Sequence, residues 1–276
     1  MTGAAVRGLL VAFLIATPAL FLPGVAADSS QITVLVALLA GFLTFAEYNS
    51  SFPSIVEFRD APPFNRLRFL SLAVTVLTLT GILRGFSDDS SLATSLASLG
   101  TIIGNATDFP YSPVRLVVLM LPADSSAALV ATVRATAGIA YLVSLVTMAT
   151  FFVMVRARRW PSRRGPFNVW VNLPLFDPTA GGDVLVRLQR DARVNIVIGF
   201  LLPFIIPAVV KATANLVSPI SLSNPQTIIW TITAWAFLPA SIIMRGIAMG
   251  RIADLIEDKR RRTYARADAD AEYQAA

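Results

Sequence analysis

The amino-acid sequence predicts an all-α, polytopic membrane helical bundle with about six transmembrane helices. Hydrophobic residues make up 55% of the chain and charged residues 14%, against roughly 25% charged residues in ordinary soluble domains. Six apolar runs reach the roughly 20 residues that a helix needs to cross a hydrocarbon core about 30 Å thick. Basic residues flank these runs in alternating loops, as they do in proteins with a fixed membrane orientation.

The six predicted spans contain almost no charge away from their edges. The exceptions are Glu47, late in the second span, and Arg245, late in the sixth. The spans are predicted at about residues 6–26, 31–48, 67–85, 135–155, 194–212 and 226–249. They form a membrane domain over residues 1–250, followed by a charged tail over 251–276 that is expected to extend the last helix before becoming disordered.

The basic residues predict the orientation of the chain. Nineteen of the 23 fall in loops on one side of the predicted membrane, which is the cytoplasmic side by the positive-inside rule. Both termini are therefore predicted to be cytoplasmic. Of the basic residues 21 are Arg, a skew that suggests GC-rich codon usage and hence the cytoplasmic (inner) membrane of a bacterium. The four on the other side are Arg84, Arg115, Arg134 and Lys211.

The N-terminal segment allows two interpretations. Arg7, the apolar stretch from Leu9 to Leu22 and the small residues before Asp28 also fit a cleavable secretory signal. Cleavage after Ala27 would leave five spans with the same orientation. An uncleaved first span is the favoured interpretation.

The composition argues against most enzyme chemistry. The chain has no Cys and no His, which removes disulfides, thiolate or imidazole metal ligands and Ser-His or Cys-His nucleophiles. Gly-rich phosphate loops and acidic metal-binding motifs are also missing from the sequence. We therefore expect no catalysis, no metal and no cofactor. Nucleic acid is not an expected partner, because the basic run at 259–262 has no interleaved aromatic residues for base stacking.

The outer segment over residues 85–133 is too long and too apolar for a simple loop. It predicts an amphipathic helix from Ser90 or Ser91 to about Ile103, lying on the membrane or on a partner. Residues 113–122 are too short to span and are interpreted as either a buried strand-like segment or a re-entrant one, packed as a cap on the helices. The apolar stripe of the amphipathic helix is Leu92, Leu96, Leu99 and Ile103.

A helix without proline is predicted from Asp124 or Ser125 to Pro161, long enough to project beyond the outer surface. Arg134 would then lie near the outer edge of the hydrocarbon. We expect it to reach lipid phosphate or to pair with a loop carboxylate such as Asp88 or Asp108.

The inner loop over residues 156–193 combines arginines with aromatic residues, a pattern typical of membrane-interface anchors. Residues 183–193 predict an in-plane amphipathic helix leading into the fifth span. We expect this loop to contact anionic lipid headgroups on the cytoplasmic side, or a membrane protein partner. The candidate contact residues are Arg158, Arg159, Trp160, Arg163, Arg164, Trp170, Arg187 and Arg190.

The fifth span carries the sequence pattern that would suit transport. Pro203, Pro207 and Lys211 follow one another at intervals of four and share a helix face. A proline-broken helix can expose backbone groups to a solute, with Lys211 as the counter-charge of an anion and Glu47 as a proton carrier. The structural interpretation is a packing kink, with Lys211 reaching the outer interface and Glu47 in headgroup water.

Two function hypotheses follow. The first is a non-catalytic accessory, scaffold or assembly subunit of a larger membrane protein complex, because a solute path usually needs polar groups at mid-depth and the spans have almost none. The second is a transporter or channel for a small solute or anion, built around the fifth span. A lipid-handling enzyme that uses only Asp and Arg is a distant third.

Overall fold

The computed structural model describes residues 1–23, 27–86, 91–157, 160–161, 167–177, 179, 181–213, 222 and 224–275. This part of the chain folds into α-helices and contains no strand. The helices are α1 (Thr2–Phe21), α2 (Ala27–Asn49), α3 (Phe64–Gly85), α4 (Ser91–Thr107), α5 (Pro113–Met120), α6 (Ala127–Ala157), α7 (Val169–Asn172), α8 (Val184–Thr213) and α9 (Pro225–Ala275). Six of them, α1, α2, α3, α6, α8 and α9, are long and apolar enough to cross a membrane, which confirms an all-helical, multi-span protein.

Two helices run well beyond the spans predicted for them. The segment predicted as a separate in-plane helix, 183–193, instead forms the first turns of α8, which continues without a break to Thr213. Asp183 caps it by accepting a hydrogen bond from the Leu185 amide at 2.9 Å. The last helix passes residue 250, where the sequence suggested a boundary, and remains helical to Ala275.

The centre of the bundle is formed by α3, α6 and α9, which pack against one another. The antiparallel partner of α9 is α8, and α4 lies along α3 and α6. The short helix α5 packs on α6 and α8. The first two helices form a hairpin on the outside, and α1 joins it to α3 and, to a smaller extent, α9. Among the described helices, α2 packs on α1 alone.

The buried apolar residues form one cluster at each end of the bundle. One cluster joins the middle of α9 to the end of α6, the start of α8 and the loops around Phe58 and Leu173. The other includes α5, the last part of α3 and the start of α9. Loops that the charge pattern assigns to one side thus meet at one end. We call the end with Phe58 and Leu173 the Arg-rich end, and the other the opposite end.

Glycines allow the helices to approach each other closely. A Cβ atom on Gly8 of α1 would lie 2.6 Å from the carbonyl oxygen of Gly41 in α2, and one on Gly138 of α6 would lie 2.6 Å from the Cα of Gly104 in α4. The α8–α9 pair has a similar crossing, where a Cβ on Gly246 would lie 2.8 Å from the carbonyl oxygen of Ala192. Such contacts are the main source of helix association in lipid, where burial of apolar surface gives little driving force.

The predicted amphipathic helix exists as α4, but only half of its predicted stripe faces the bundle. Leu96 and Ile103 are partly buried against the opposite-end cluster, whereas Leu92 is 79% exposed and Leu99 is 48% exposed. The closest contacts with α3 and α6 are made by small residues, as is common between membrane helices. These small residues are Ala93, Ala97, Gly100 and Gly104.

Within residues 113–122 the chain forms the helix α5, Pro113–Met120, and no strand. The Ser112 side chain accepts a hydrogen bond from the Arg115 amide at 3.0 Å and caps α5. Val114 and Val117 are fully buried against the opposite-end cluster. These residues are therefore part of the packed structure at that end.

Arg134 forms the ion pair that the sequence suggested. Its Nε lies 2.6 Å from Oδ2 of Asp108, and Nε of Arg115 lies 2.8 Å from the other carboxylate oxygen. Asp108 is almost fully buried. The carboxylate thus connects the end of α4 to α5 and α6.

We predict that Gly104→Val destabilises the protein by about 1–3 kcal/mol, because the new side chain would press on the backbone of α6 at Arg134 and Ala135. Thermal unfolding in detergent, followed by tryptophan fluorescence, measures this. Gly250→Ala in α9 is the matched control, since its Cβ would meet only the Ala192 Cβ at 3.7 Å and alanine favours the helix. Equal melting temperatures for the two variants would contradict the close-contact argument.

Candidate functional site

The Arg-rich end contains a buried ion pair between a loop and the last helix. Nε and Nη2 of Arg245 in α9 donate to the two carboxylate oxygens of Glu57 at 2.6 and 2.9 Å, and Nη1 donates to Oδ1 of Asn195 in α8 at 3.1 Å. The Glu57 side chain is 8% exposed. This bidentate geometry is the strongest form of an Arg–carboxylate pair and fixes the α2–α3 loop to α8 and α9.

Sequence reasoning recognised Arg245 as a charge inside a span but did not find its partner. Glu57 was not among the candidate residues. The sequence feature that indicated an ion pair was Arg245 itself, because a charge inside a span requires an opposite charge or a polar partner.

A strained turn positions Glu57. The next residue, Phe58, has φ = 52°, a left-handed conformation that is a genuine outlier for a bulky residue. Its amide donates to the Asn172 carbonyl oxygen at 2.6 Å, and its ring lies 4.6 Å from Phe64 and 5.8 Å from Trp160, centroid to centroid. Phe58 is fully buried, so aromatic packing holds the turn that directs Glu57 toward Arg245.

Glu47 is a structural group in the same loop region. Its carboxylate accepts hydrogen bonds from the backbone amides of Ser54, Ile55 and Val56 at 2.9–3.2 Å. Three successive amides around one carboxylate stabilise its charged form. The geometry orders the chain after α2.

Several of the predicted contact residues lie outside the described part of the chain. These are Arg158, Arg159, Arg163 and Arg164, together with the side chain of Trp170. Trp160 is described and is 4% exposed. Its Nε1 donates to the Ala61 carbonyl at 3.2 Å, and its own carbonyl oxygen accepts from Nε of Arg251 at 3.2 Å. It lies inside the bundle rather than on a surface that meets lipid.

The two remaining predicted contact residues are at the start of α8. Arg187 stacks 4.8 Å from the ring centroid of Phe176 and donates from Nη2 to the Asp177 carbonyl at 2.7 Å. Arg190 pairs with the neighbouring Asp191 at 3.2 Å and is 68% exposed. Of these two, Arg190 presents the more accessible guanidinium.

An exposed ion pair joins the start of α8 to the extension of α9. Nη1 and Nη2 of Arg260 donate to the carboxylate oxygens of Asp183 at 2.8 and 2.9 Å. The Arg260 guanidinium, together with the Leu185 amide, holds the pKa of the Asp183 carboxyl below its usual range. The pair tethers α9 to the cap of α8 where α9 extends beyond the apolar bundle.

Of the residues proposed for transport, Pro203, Pro207 and Lys211 lie toward the opposite end, away from Glu47, and are engaged in packing contacts. Pro207 cannot donate to the Pro203 carbonyl, as a helix residue normally would, and Nε1 of Trp235 in α9 donates to that oxygen at 3.0 Å. Nζ of Lys211 donates to the Leu121 carbonyl at the end of α5 at 3.0 Å. The backbone acceptor that the proline releases is therefore satisfied by a neighbouring helix.

Comparison with protein-family models, with curated proteins and with solved structures found no match to this chain. Within the described ranges no group of three or more Asp, Glu, His or Cys residues is arranged to hold a metal ion. The function is therefore inferred from the contacts and the exposed faces of the described residues.

We predict that Arg245→Met destabilises the protein by about 3–5 kcal/mol, because it leaves the Glu57 carboxylate buried without its partner. The double variant Arg245→Met with Glu57→Gln should recover most of this loss. Unfolding by SDS titration, followed by circular dichroism, measures both. Arg190→Gln, which breaks an exposed pair, is the control and should cost at most about 1 kcal/mol. Glu57→Gln alone is measured as well. If the double variant loses as much stability as Arg245→Met and Glu57→Gln lose in sum, the two residues are not coupled.

We also predict that acid weakens the Asp183–Arg260 tether. A carboxyl whose pKa is lowered in the folded state stabilises that state above its unfolded pKa, near 4, and loses this contribution as the pH falls through the lowered value. Hydrogen exchange of the amides of residues 185–187 should therefore accelerate below about pH 4, after correction for intrinsic rates. Asp183→Ala, which removes both the helix cap and the partner of Arg260, should show fast exchange at neutral pH without this pH dependence. An unchanged protection factor in that variant would rule out the tether.

Proposed function

We propose that the chain is a non-catalytic accessory, scaffold or assembly subunit of a larger membrane protein complex. In this proposal it resides in the cytoplasmic (inner) membrane of a bacterium with both termini cytoplasmic, so that the Arg-rich end faces the cytoplasm. The observation that supports it best is the position of α2, a membrane-length helix that packs on α1 alone.

The outer face of α2 is apolar along its length. Leu35, Leu38, Leu39 and Phe42 lie opposite the face that meets α1 and are 58–68% exposed. The α1–α2 contact depends on the Gly8–Gly41 crossing, and the hairpin joins the bundle mainly through α1 on α3. A helix that packs on its own chain along one face, with an apolar opposite face, is suited to packing between this bundle and a second membrane protein.

The contacts of the polar groups also favour a subunit over a carrier. Lys211, the Pro203 carbonyl and Glu47 each have a structural partner, as described above. Arg245 is locked by Glu57 and Asn195. A solute path would need some of these groups to be available at mid-depth.

We predict that Leu35→Ala, Leu39→Ala and Phe42→Ala, combined in one chain, release this protein from its complex. Gentle detergent or nanodisc extraction of native membranes, then native electrophoresis and mass spectrometry, measures co-migration. The control removes the same kind of side chain from the exposed face of α8, with Ile198→Ala, Leu201→Ala and Ile205→Ala combined. Wild-type protein that migrates alone, or equal loss in both variants, would overturn the proposed docking face.

We further predict that Lys211→Ala combined with Pro203→Ala leaves the complex at its wild-type level. The Lys211 contact is a single hydrogen bond to a carbonyl, worth about 1 kcal/mol. The variant chain should therefore still fold and assemble. Loss of a solute uptake activity in this variant, with the complex intact, would instead favour a transporter built around α8.

A further inference from the structure

A groove of about 490 Å³ opens at the Arg-rich end between α6 and α8. Both helices pack on α9 but not on each other, so a gap remains between them. The floor of the gap is the α9 surface at Gly246, Ile247 and Gly250. At Gly250 an added Cβ would meet only the Ala192 Cβ, at 3.7 Å, so the missing side chain leaves part of this space open.

The walls of the groove are apolar and its rim is basic. Phe152 and Val155 of α6 face Ala192 and Ile196 of α8. The rim carries one arginine from each helix, together with the polar side chains of α8 and α9 at the same level. These rim residues are Arg156, Arg193, Arg251, Gln189 and Asp254.

The three rim arginines have no carboxylate within ion-pairing distance in the described part of the chain. Nε of Arg251 donates to the Trp160 carbonyl, and Nε of Arg193 donates to the Gln189 carbonyl at 3.4 Å. Arg156 lies 5.5 Å from the ring centroid of Phe152. These contacts orient the three arginine side chains. The two hydrogen bonds use Nε and do not use the terminal Nη1 and Nη2 groups.

We propose that this groove binds one anionic phospholipid. Three guanidinium groups and one carboxylate, that of Asp254, give the rim a net charge of about +2, which complements a phosphodiester headgroup without a positive group of its own. The apolar walls and the glycine floor continue from this rim toward the hydrocarbon and accommodate an acyl chain. The lipid connects α6 to α8 where the protein itself makes no contact. This inference is independent of the proposed function.

Native mass spectrometry of the delipidated full-length chain, titrated with phosphatidylglycerol or phosphatidylcholine, tests the proposal. We expect one tightly bound phosphatidylglycerol per chain and much weaker phosphatidylcholine binding. Arg156→Gln, Arg193→Gln and Arg251→Gln combined should weaken phosphatidylglycerol binding about 100-fold, or roughly fivefold for each arginine. The control combines Lys259→Gln, Arg262→Gln and Arg266→Gln in the exposed extension of α9, which removes the same charge outside the groove, and should bind normally.

Gly250→Leu separates the groove from general charge effects. It keeps every arginine and fills the floor, so we expect loss of lipid binding with little change in the unfolding temperature of the delipidated protein. Equal lipid loss in the tail control would show diffuse attraction and overturn the proposal. Full displacement of the lipid by inorganic phosphate at millimolar concentration would also overturn it, since the site would then recognise a free anion alone. Normal lipid binding by Gly250→Leu would overturn it as well, since the lipid would then not occupy the groove.

Discussion

Close backbone contact at glycines is the constraint on which this bundle depends. Lipid tails are as apolar as leucine, so helices gain little by burying large side chains and associate through fine packing instead. Gly8 with Gly41, and Gly104 with Gly138, bring the backbones of α1 and α2 and of α4 and α6 together. The remaining interior is filled by apolar clusters at the two ends. Larger side chains at these crossings would separate α2 from α1 and α4 from α6.

Several polar groups within the bundle have hydrogen-bond partners that are distant in the sequence. Ser144 donates to the Ala236 carbonyl at 3.0 Å, Trp235 to that of Pro203, and Arg245 to Glu57. A buried group without a partner is costly in a region that water does not reach. Each bond therefore fixes the relative position of two elements, and together they define one arrangement of α6, α8 and α9.

Hydropathy and charge were sufficient to predict the six membrane-length helices, because apolar length is a local property of the sequence. Packing faces were not predictable in the same way. In α4 the side chains of Leu92 and Leu99 are exposed, while Leu96 and Ile103 of the same apolar stripe pack on the bundle beside Ala93, Ala97 and the glycines, so the stripe alone did not identify the packing face. The Glu57–Arg245 pair and the α6–α8 groove depend on which helices become neighbours, which a single sequence does not encode locally.

The separation of Glu57 and Arg245 along the chain has a consequence for biosynthesis. The two residues are 188 positions apart, so the first can find its partner only after the ribosome has made the sixth membrane-length helix. Until then, the loop between α2 and α3 carries the Glu57 carboxylate without its arginine partner. The earlier helices therefore enter the membrane before the Glu57–Arg245 ion pair can form. Insertion of α9 then completes the fold.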